Sequence, residues 1–410
     1  MQNIMVVNFM ERNSIDIEQM KSALGMTSVP DVFNEIYIKS KGCYAQRSRY
    51  ILSREYITKT LTDCYALLPY MDTILAAADK IRENDAMLLL VYLLEQWVKT
   101  GGNIDDSSYT PPIGEGIEYD FIHLFAAIPT IPDSVEYLRK RGLSEEIIAD
   151  TMKEYDFCLE FYSKITGRIG FDRGRLWWMR MIIQNKLIKV GRLKFELPKI
   201  RLSGARVYKN KDGELAVFAD KLHVHRNGRI VGSTGCEDEV GSFVANVIET
   251  DDEIIGHLII DCNISRKKTT LAKKEWELCL CEEDLIINVH IPPDGKLDID
   301  SVEASYNGMR EIMARCYPEM EYKAFFCESW LMSEDLRNIL KPDSNIIAFQ
   351  NKYFRYPCRS GITAPFVWVF PGEGGVDNIE NFSETTSLQR AIKQSYKNGC
   401  YIYNNMGFFF

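Results

Sequence analysis

No Cys-x-x-Cys pair occurs in this chain, although it holds 11 cysteines. Cys279 and Cys281 stand one residue apart and the rest are scattered, so no zinc module or disulfide framework is spelled out. The expectation is buried, reduced thiols in a cytoplasmic protein, with no metal. Long apolar runs are missing too. The longest, Ala86 to Leu94, is nine residues, whereas a bilayer span needs roughly 20. The start, Met1 to Glu11, lacks a basic segment, and Asn8 and Glu11 interrupt its apolar residues. It reads as neither a targeting segment nor a membrane anchor. Positive charge is in deficit: 49 Lys and Arg stand against 58 Asp and Glu, a net charge of −9. That argues against nucleic acid as a partner but leaves room for a local basic pocket. There is no Gly-x-Ser-x-Gly elbow, no His-Glu-x-x-His and no repeat at a fixed period. Gly372-Glu-Gly-Gly375 lacks the Lys-Ser/Thr of a phosphate loop and follows Pro371, so it reads as a turn.

What is present is a globular composition, 46% hydrophobic and 26% charged over 410 residues, enough for two or three cores. Residues 1–165 read as a helical domain. Asp16 and Gln19 form a capping-box signature, Ser53 opens a further helix, and Pro69 begins another. Asn84 caps a helix from Asp85 to Lys99 that is apolar on nearly every face and therefore central to its bundle. The segment from Gly102 to Ile117 reads as a loop, and Ser144 caps a later helix.

Residues 166–284 read as β-rich. Leu187 to Leu197 alternates as one half-buried strand, and Asn227-Gly228 marks a hairpin. From 285 to 410 strands and helices interleave. Leu285–Ile291 reads as a strand, Asp298 caps a helix to about Tyr317, and Tyr322–Leu331 is a second strand. Strands are also expected over Asn345–Phe354 and Phe366–Phe370, and a last helix ends at Lys397. The fold class is therefore α+β or α/β: a helical N-terminal domain, then a mixed sheet with helices packed on it.

Several strings in this region carry a family resemblance. They are Asn288-Val-His-Ile-Pro292, Cys327-Glu-Ser-Trp-Leu331, Asp343-Ser-Asn-Ile346 with Phe349-Gln350, Thr386-Ser-Leu-Gln-Arg390 and Gly407-Phe-Phe-Phe410. Val190 to Glu196 and Glu275-Trp276 precede them in the same order. Together they resemble bacterial acyltransferase-domain proteins, with a helical N-acyltransferase-like N-terminal region and a C-terminal domain like the GCN5-related N-acetyltransferases (GNAT-like). The resemblance implies transfer of an acyl group, acetyl in the first instance, from acetyl-CoA or another acyl-CoA to a small-molecule or peptide amine. One departure is visible. The superfamily's Arg/Gln-x-x-Gly-x-Gly/Ala loop is replaced by Pro292-Pro-Asp-Gly-Lys-Leu-Asp298, in which Gly295 and Lys296 are suited to a phosphate.

The chemistry selects candidates. A pyrophosphate is met by N–H groups at a helix start. This points to Gly295, Lys296 and Ser301, with Asn288 and Ile291 on the strand before them. An ammonium must lose a proton before it attacks, which requires a base titrating near neutrality. His290 is the first candidate, with Glu328 as an alternative base and Ser329 as a donor to the thioester oxygen. Tyr353 and Tyr356 are possible acids for the leaving thiolate. His223-x-His225, followed by Cys236 and Asp238, lacks an evident third metal ligand. The rival readings are a binding protein that keeps the fold without the chemistry, and a hydrolase in which Ser329 meets a histidine.

Overall fold

The computed structural model describes residues 15–40, 42–102 and 106–410. The reading of Met1 to Glu11, and residues 103–105 of the expected loop, lie outside these. The chain forms two compact units: Met1–Lys140 with Ser144–Lys186, and Arg141–Leu143 with Leu187–Phe410.

The first unit is helical. Its central element is the helix Asp85–Lys99, which starts where the Asn84 side chain accepts from the amides of Ala86 and Met87. Eleven of its residues are buried, and it packs against the helices Ile17–Ala23, Val32–Ser40, Tyr44–Ile51, Met71–Arg82 and Leu124–Ala127. Its single buried charge, Glu95, is paired with Arg47 and Lys99, which offsets the cost of desolvating a carboxylate. The capping box at Asp16 and Gln19 is formed. A helix over Arg173–Ile183, capped by Asp172, also belongs to this unit, so the helical part runs on past residue 165.

The second unit is built on two six-stranded sheets and a separate two-stranded one. Its strands are β1 (Leu187–Val190), β2 (Leu193–Arg201), β3 (Ala205–Asn210), β4 (Leu215–Ala219), β5 (Leu222–Val224), β6 (Phe243–Ala245) and β7 (Ile248–Glu249). Then come β8 (Glu253–Ile260), β9 (Asn263–Ala272), β10 (Trp276–Leu280), β11 (Leu285–His290), β12 (Ala324–Ser329), β13 (Phe354–Pro357) and β14 (Asn405–Phe409). The first sheet has the order β1-β2-β11-β12-β14-β13, with β11 and β12 parallel and the other pairs antiparallel. The second has the order β10-β3-β4-β8-β7, with β9 on β8, and β5 and β6 form the two-stranded sheet.

One face of the first sheet, with Ile286, Ala324, Phe326, Tyr356 and Phe408, shares a core with Val207, Val217 and Ala219 of the second. The opposite face carries Phe195, Phe325 and Phe409, which meet Tyr306 of the helix Ile299–Cys316 edge to face at 5.8, 5.0 and 4.8 Å. Such pairs add about 0.5–1.5 kcal/mol each beyond area burial. The helix between β11 and β12 is thereby fixed against the parallel pair.

Three expectations are corrected, and one element was not expected. Leu187–Leu197 is two strands, because Gly191 takes φ +55° and the chain reverses between Val190 and Leu193. Asn345–Gln350 is a helix, since the Ser344 hydroxyl accepts from the Ile347 amide; β13 begins only at Phe354. Ala364–Val369 is also a helix: Pro365 suits its first turn, and Phe366 and Phe370, four residues apart, enter one core. Finally, the aromatic end forms β14, placed between β12 and β13.

Candidate active site

Alternation along β11 buries Ile287 and Val289 and leaves Asn288 and His290 half-buried on the other face. The parallel ladder to β12 pairs Ile286 with Ala324, Ile287 with Phe325 and Asn288 with Phe326, and stops there. Both strands continue. β11 stays on β2 as far as His290 opposite Lys194, and β12 stays on β14 as far as Ser329 opposite Asn405. The register between the two parallel strands thus ends before their carboxyl ends.

His290 and Glu328 stand two residues beyond the last paired residues, on the same face. His290 sits in a polar triangle with Asn288 and Glu196. The Asn288 amide nitrogen lies 3.3 Å from the Glu196 carboxylate and 3.3 Å from His290 Nε2, and Nε2 lies 3.5 Å from the same carboxylate oxygen. Glu328 is open to solvent on one side, yet the protein around it pushes its carboxyl above the ordinary range, and no Lys or Arg of the described residues pairs with it. The Cys358 thiol, 4.0 Å away, is its hydrogen-bonding neighbour. A carboxylate held this way is a stronger base than a free one.

Ser329 projects to the opposite face. Its hydroxyl oxygen accepts from the Leu331 amide at 3.1 Å and caps the turn Trp330–Met332. No histidine among the described residues bonds to it, which leaves the hydrolase arrangement unformed. The two tyrosines are also spent elsewhere. Tyr353 bonds Tyr306 in the core, and the Tyr356 hydroxyl donates to the Ser203 carbonyl at 2.9 Å. Burial raises both phenols well above their usual range.

Ile291 follows β11 half-buried, and Gly295 and Lys296 lie exposed in the loop beyond. Arg192 pins that loop by donating to the Gly295 and Lys296 carbonyls at 2.9 and 2.8 Å. Asp294 in the same loop is paired with Lys189 and Arg192. Burial works to raise its carboxyl, but the Lys189 hydrogen bond at 2.5 Å and the nearby cations outweigh this and hold it below the ordinary range. At the helix start, Asp298 accepts from the Ser301 amide at 3.0 Å, which lowers its own pKa and takes up one of the N–H groups expected to face a phosphate.

Elsewhere, His223 bonds Ser242 and His225 lies 3.5 Å from Asp238. Among the described residues no group of three or more His, Cys, Asp or Glu side chains can hold a metal ion. Sequence reasoning overlooked Glu196 and Cys358. The Lys194/Glu196 alternation on β2 marked a polar face, but only the register Asn288–Glu196 shows what it faces.

With this arrangement in view, comparison with known proteins is informative. Residues 187–409 match the family model of the GNAT-like C-terminal domain, and residues 66–184 match that of the N-acyltransferase N-terminal domain. The chain belongs to this family of acyl-transferring, GNAT-like proteins. Among curated proteins no significant match was found. Among solved structures it is similar to an acyltransferase in complex with decanoyl-CoA and teicoplanin, at 17% identity and TM-score 0.60 over 96% of this chain and 99% of that one. An acyltransferase with CoA and 10C-teicoplanin matches at 16% identity and TM-score 0.59, with the same coverage. At these identities the likeness is one of fold.

Proposed function

We propose that this chain is an acyl-CoA-dependent N-acyltransferase whose reacting centre lies where β11 and β12 part. The observation that carries this reading is the end of the parallel ladder at Asn288–Phe326 while both strands run on. An extended amide-bearing arm, such as the pantetheine of CoA, can hydrogen-bond to the vacated edge of Val289 to Ile291 as an added strand. The Gly295–Lys296 loop and the start of the 299–316 helix, including Ser301, then lie next along the chain for the pyrophosphate. The solved acyltransferases of the same fold, in complex with decanoyl-CoA and with CoA, support that class of co-substrate and point to acyl chains longer than acetyl. The teicoplanin in one of these complexes, a glycopeptide, supports an amine on a small molecule or peptide as acceptor.

In the step itself the amine nitrogen attacks the thioester carbon, the C–N bond forms, and the C–S bond breaks. His290 takes the proton the amine gives up, and the leaving thiolate is reprotonated from the same imidazolium. Glu328 lies on the same face as a second base. Ser329 remains the cap of its turn.

Calorimetric titration of the intact chain with acetyl-CoA, octanoyl-CoA and decanoyl-CoA tests this reading. Binding of at least one is expected, and no heat from any of them at millimolar concentration would sink it. His290→Ala should bind the same acyl-CoA within a few-fold while turnover falls by about 10²- to 10⁴-fold. Unchanged turnover removes His290 from the reaction. One observation favours a non-catalytic binding protein, namely the Asp298 cap that occupies the Ser301 amide. For that rival, acyl-CoA binding without thiol release against any amine is the expected result.

A further inference from the structure

A cavity of about 550 Å³ opens at the amino ends of β11 and β12, beside the last turns of the helix Ile299–Cys316. The proposed reacting centre lies at the carboxyl ends, about 17 Å along β11 at ~3.3 Å per residue, so the reaction gives this cavity no task. The volume suits a small molecule. Leu285, Met313, Met320 and Tyr322 supply an apolar wall. Five charged side chains line it as well, and three of them are engaged. Asp284 accepts from the Cys281 amide at 3.0 Å and lies 3.6 Å from Lys323. A hydrogen bond with Cys281 holds the Glu283 carboxyl below its ordinary range.

Two charges of opposite sign remain. Glu321 is exposed, and its carboxylate has no hydrogen bond or ion pair among the described residues. Arg310 is half-buried, with its guanidinium over the rings of Phe325 and Phe409 at 5.1 and 5.9 Å. It donates to the Asn307 side-chain oxygen at 3.2 Å and to the Phe410 main-chain oxygen at 3.5 Å, the latter near the limit of such bonds. No Asp or Glu side chain among the described residues pairs with it. A guanidinium laid on aromatic rings keeps its planar fork shaped for a carboxylate.

We propose that this cavity binds an apolar α-amino acid: Arg310 takes its carboxylate, Glu321 takes its ammonium, and Met313, Met320 and Tyr322 meet its side chain. The two opposite charges select a zwitterion. A simple anion is repelled by Glu321, and a simple amine by Arg310. No bond is made or broken, and the acyl-transfer reading plays no part in the argument.

The test is NMR of the full-length chain with isotope-labelled methionine methyl groups, titrated with L-leucine, L-methionine and L-phenylalanine. The Met313 and Met320 signals are identified by their loss in Met313→Leu and Met320→Leu. At least one of the three amino acids should shift both signals and saturate in the millimolar range. The amide of that amino acid lacks the carboxylate, and its N-acetyl derivative lacks the ammonium. Each should bind about tenfold more weakly or worse, the effect of losing one charge-assisted contact. Arg310→Gln and Glu321→Gln should each weaken the amino acid by a similar factor of about ten. Glu321 is exposed, so its variant carries the test if the Arg310 variant does not fold. Signals unmoved by all three amino acids at tens of millimolar overturn the proposal. Equal binding of the amide or the N-acetyl derivative overturns it too, since the cavity is then only an apolar cleft. Shifts confined to other methionines place the ligand elsewhere and also overturn it. No acyl-CoA is present in the titration, so its outcome is separate from that of the proposed reaction.

Discussion

Two side chains on one sheet face, His290 and Glu328, meet opposite electrostatic conditions. His290 has a carboxylate beside it at 3.5 Å. Glu328 has no cation of the described residues, and burial raises its pKa. A carboxyl raised in the folded chain penalises folding wherever it is ionised. The penalty is full above the raised folded pKa, shrinks as pH falls through it, and vanishes below the unfolded value near 4.3. Glu328→Gln should therefore raise the melting temperature at pH 7, and the gain should disappear by about pH 4. Thermal unfolding at the two pH values checks this. A variant less stable at pH 7 would mean the carboxylate is paired, against the base assignment. Residue type made His290 and Glu328 legible as candidate bases, whereas Asn288 was a candidate only by its place on the strand. Glu196 was hidden because what it faces depends on the register between β2 and β11.

At the scale of elements, caps were readable wherever a short polar side chain preceded an apolar run. Asp298 and Asn84 cap the helices expected of them. Ser344 had the same chemistry, yet the segment Asn-Ile-Ile-Ala-Phe-Gln behind it reads equally as a strand, since its four-residue apolar run does not distinguish the two periods. β14 was harder still. Its place between β12 and β13 follows from long-range pairing, and the close approach it makes is possible only because of a glycine. A Cβ on Gly407 would stand 2.7 Å from Met332 Cε, 3.1 Å from Tyr353 Cβ and 3.2 Å from the Phe354 carbonyl. Gly407→Ala should cost about 1–3 kcal/mol by overpacking, read as a lowered urea midpoint. A neutral result would show that β14 is looser in the sheet than its register implies.

For the whole molecule, the division into a helical unit and a two-sheet unit was legible, because the apolar period changes from 3.6 to 2 near Leu187. The strand order was not, since the ladder β1-β2-β11-β12-β14-β13 pairs residues as distant in sequence as Lys194 and His290. That order sets the proposed site: β2 brings Glu196 to His290, while β12 runs on along β14 past its last pair with β11. The central claim is that acyl-CoA occupies this site. Hydrogen exchange of the intact chain, with and without decanoyl-CoA, tests it most directly. The account predicts added protection at the amides of Val289 to Ile291 and of Gly295 to Ser301. Binding that protects other segments and leaves these unchanged would contradict it.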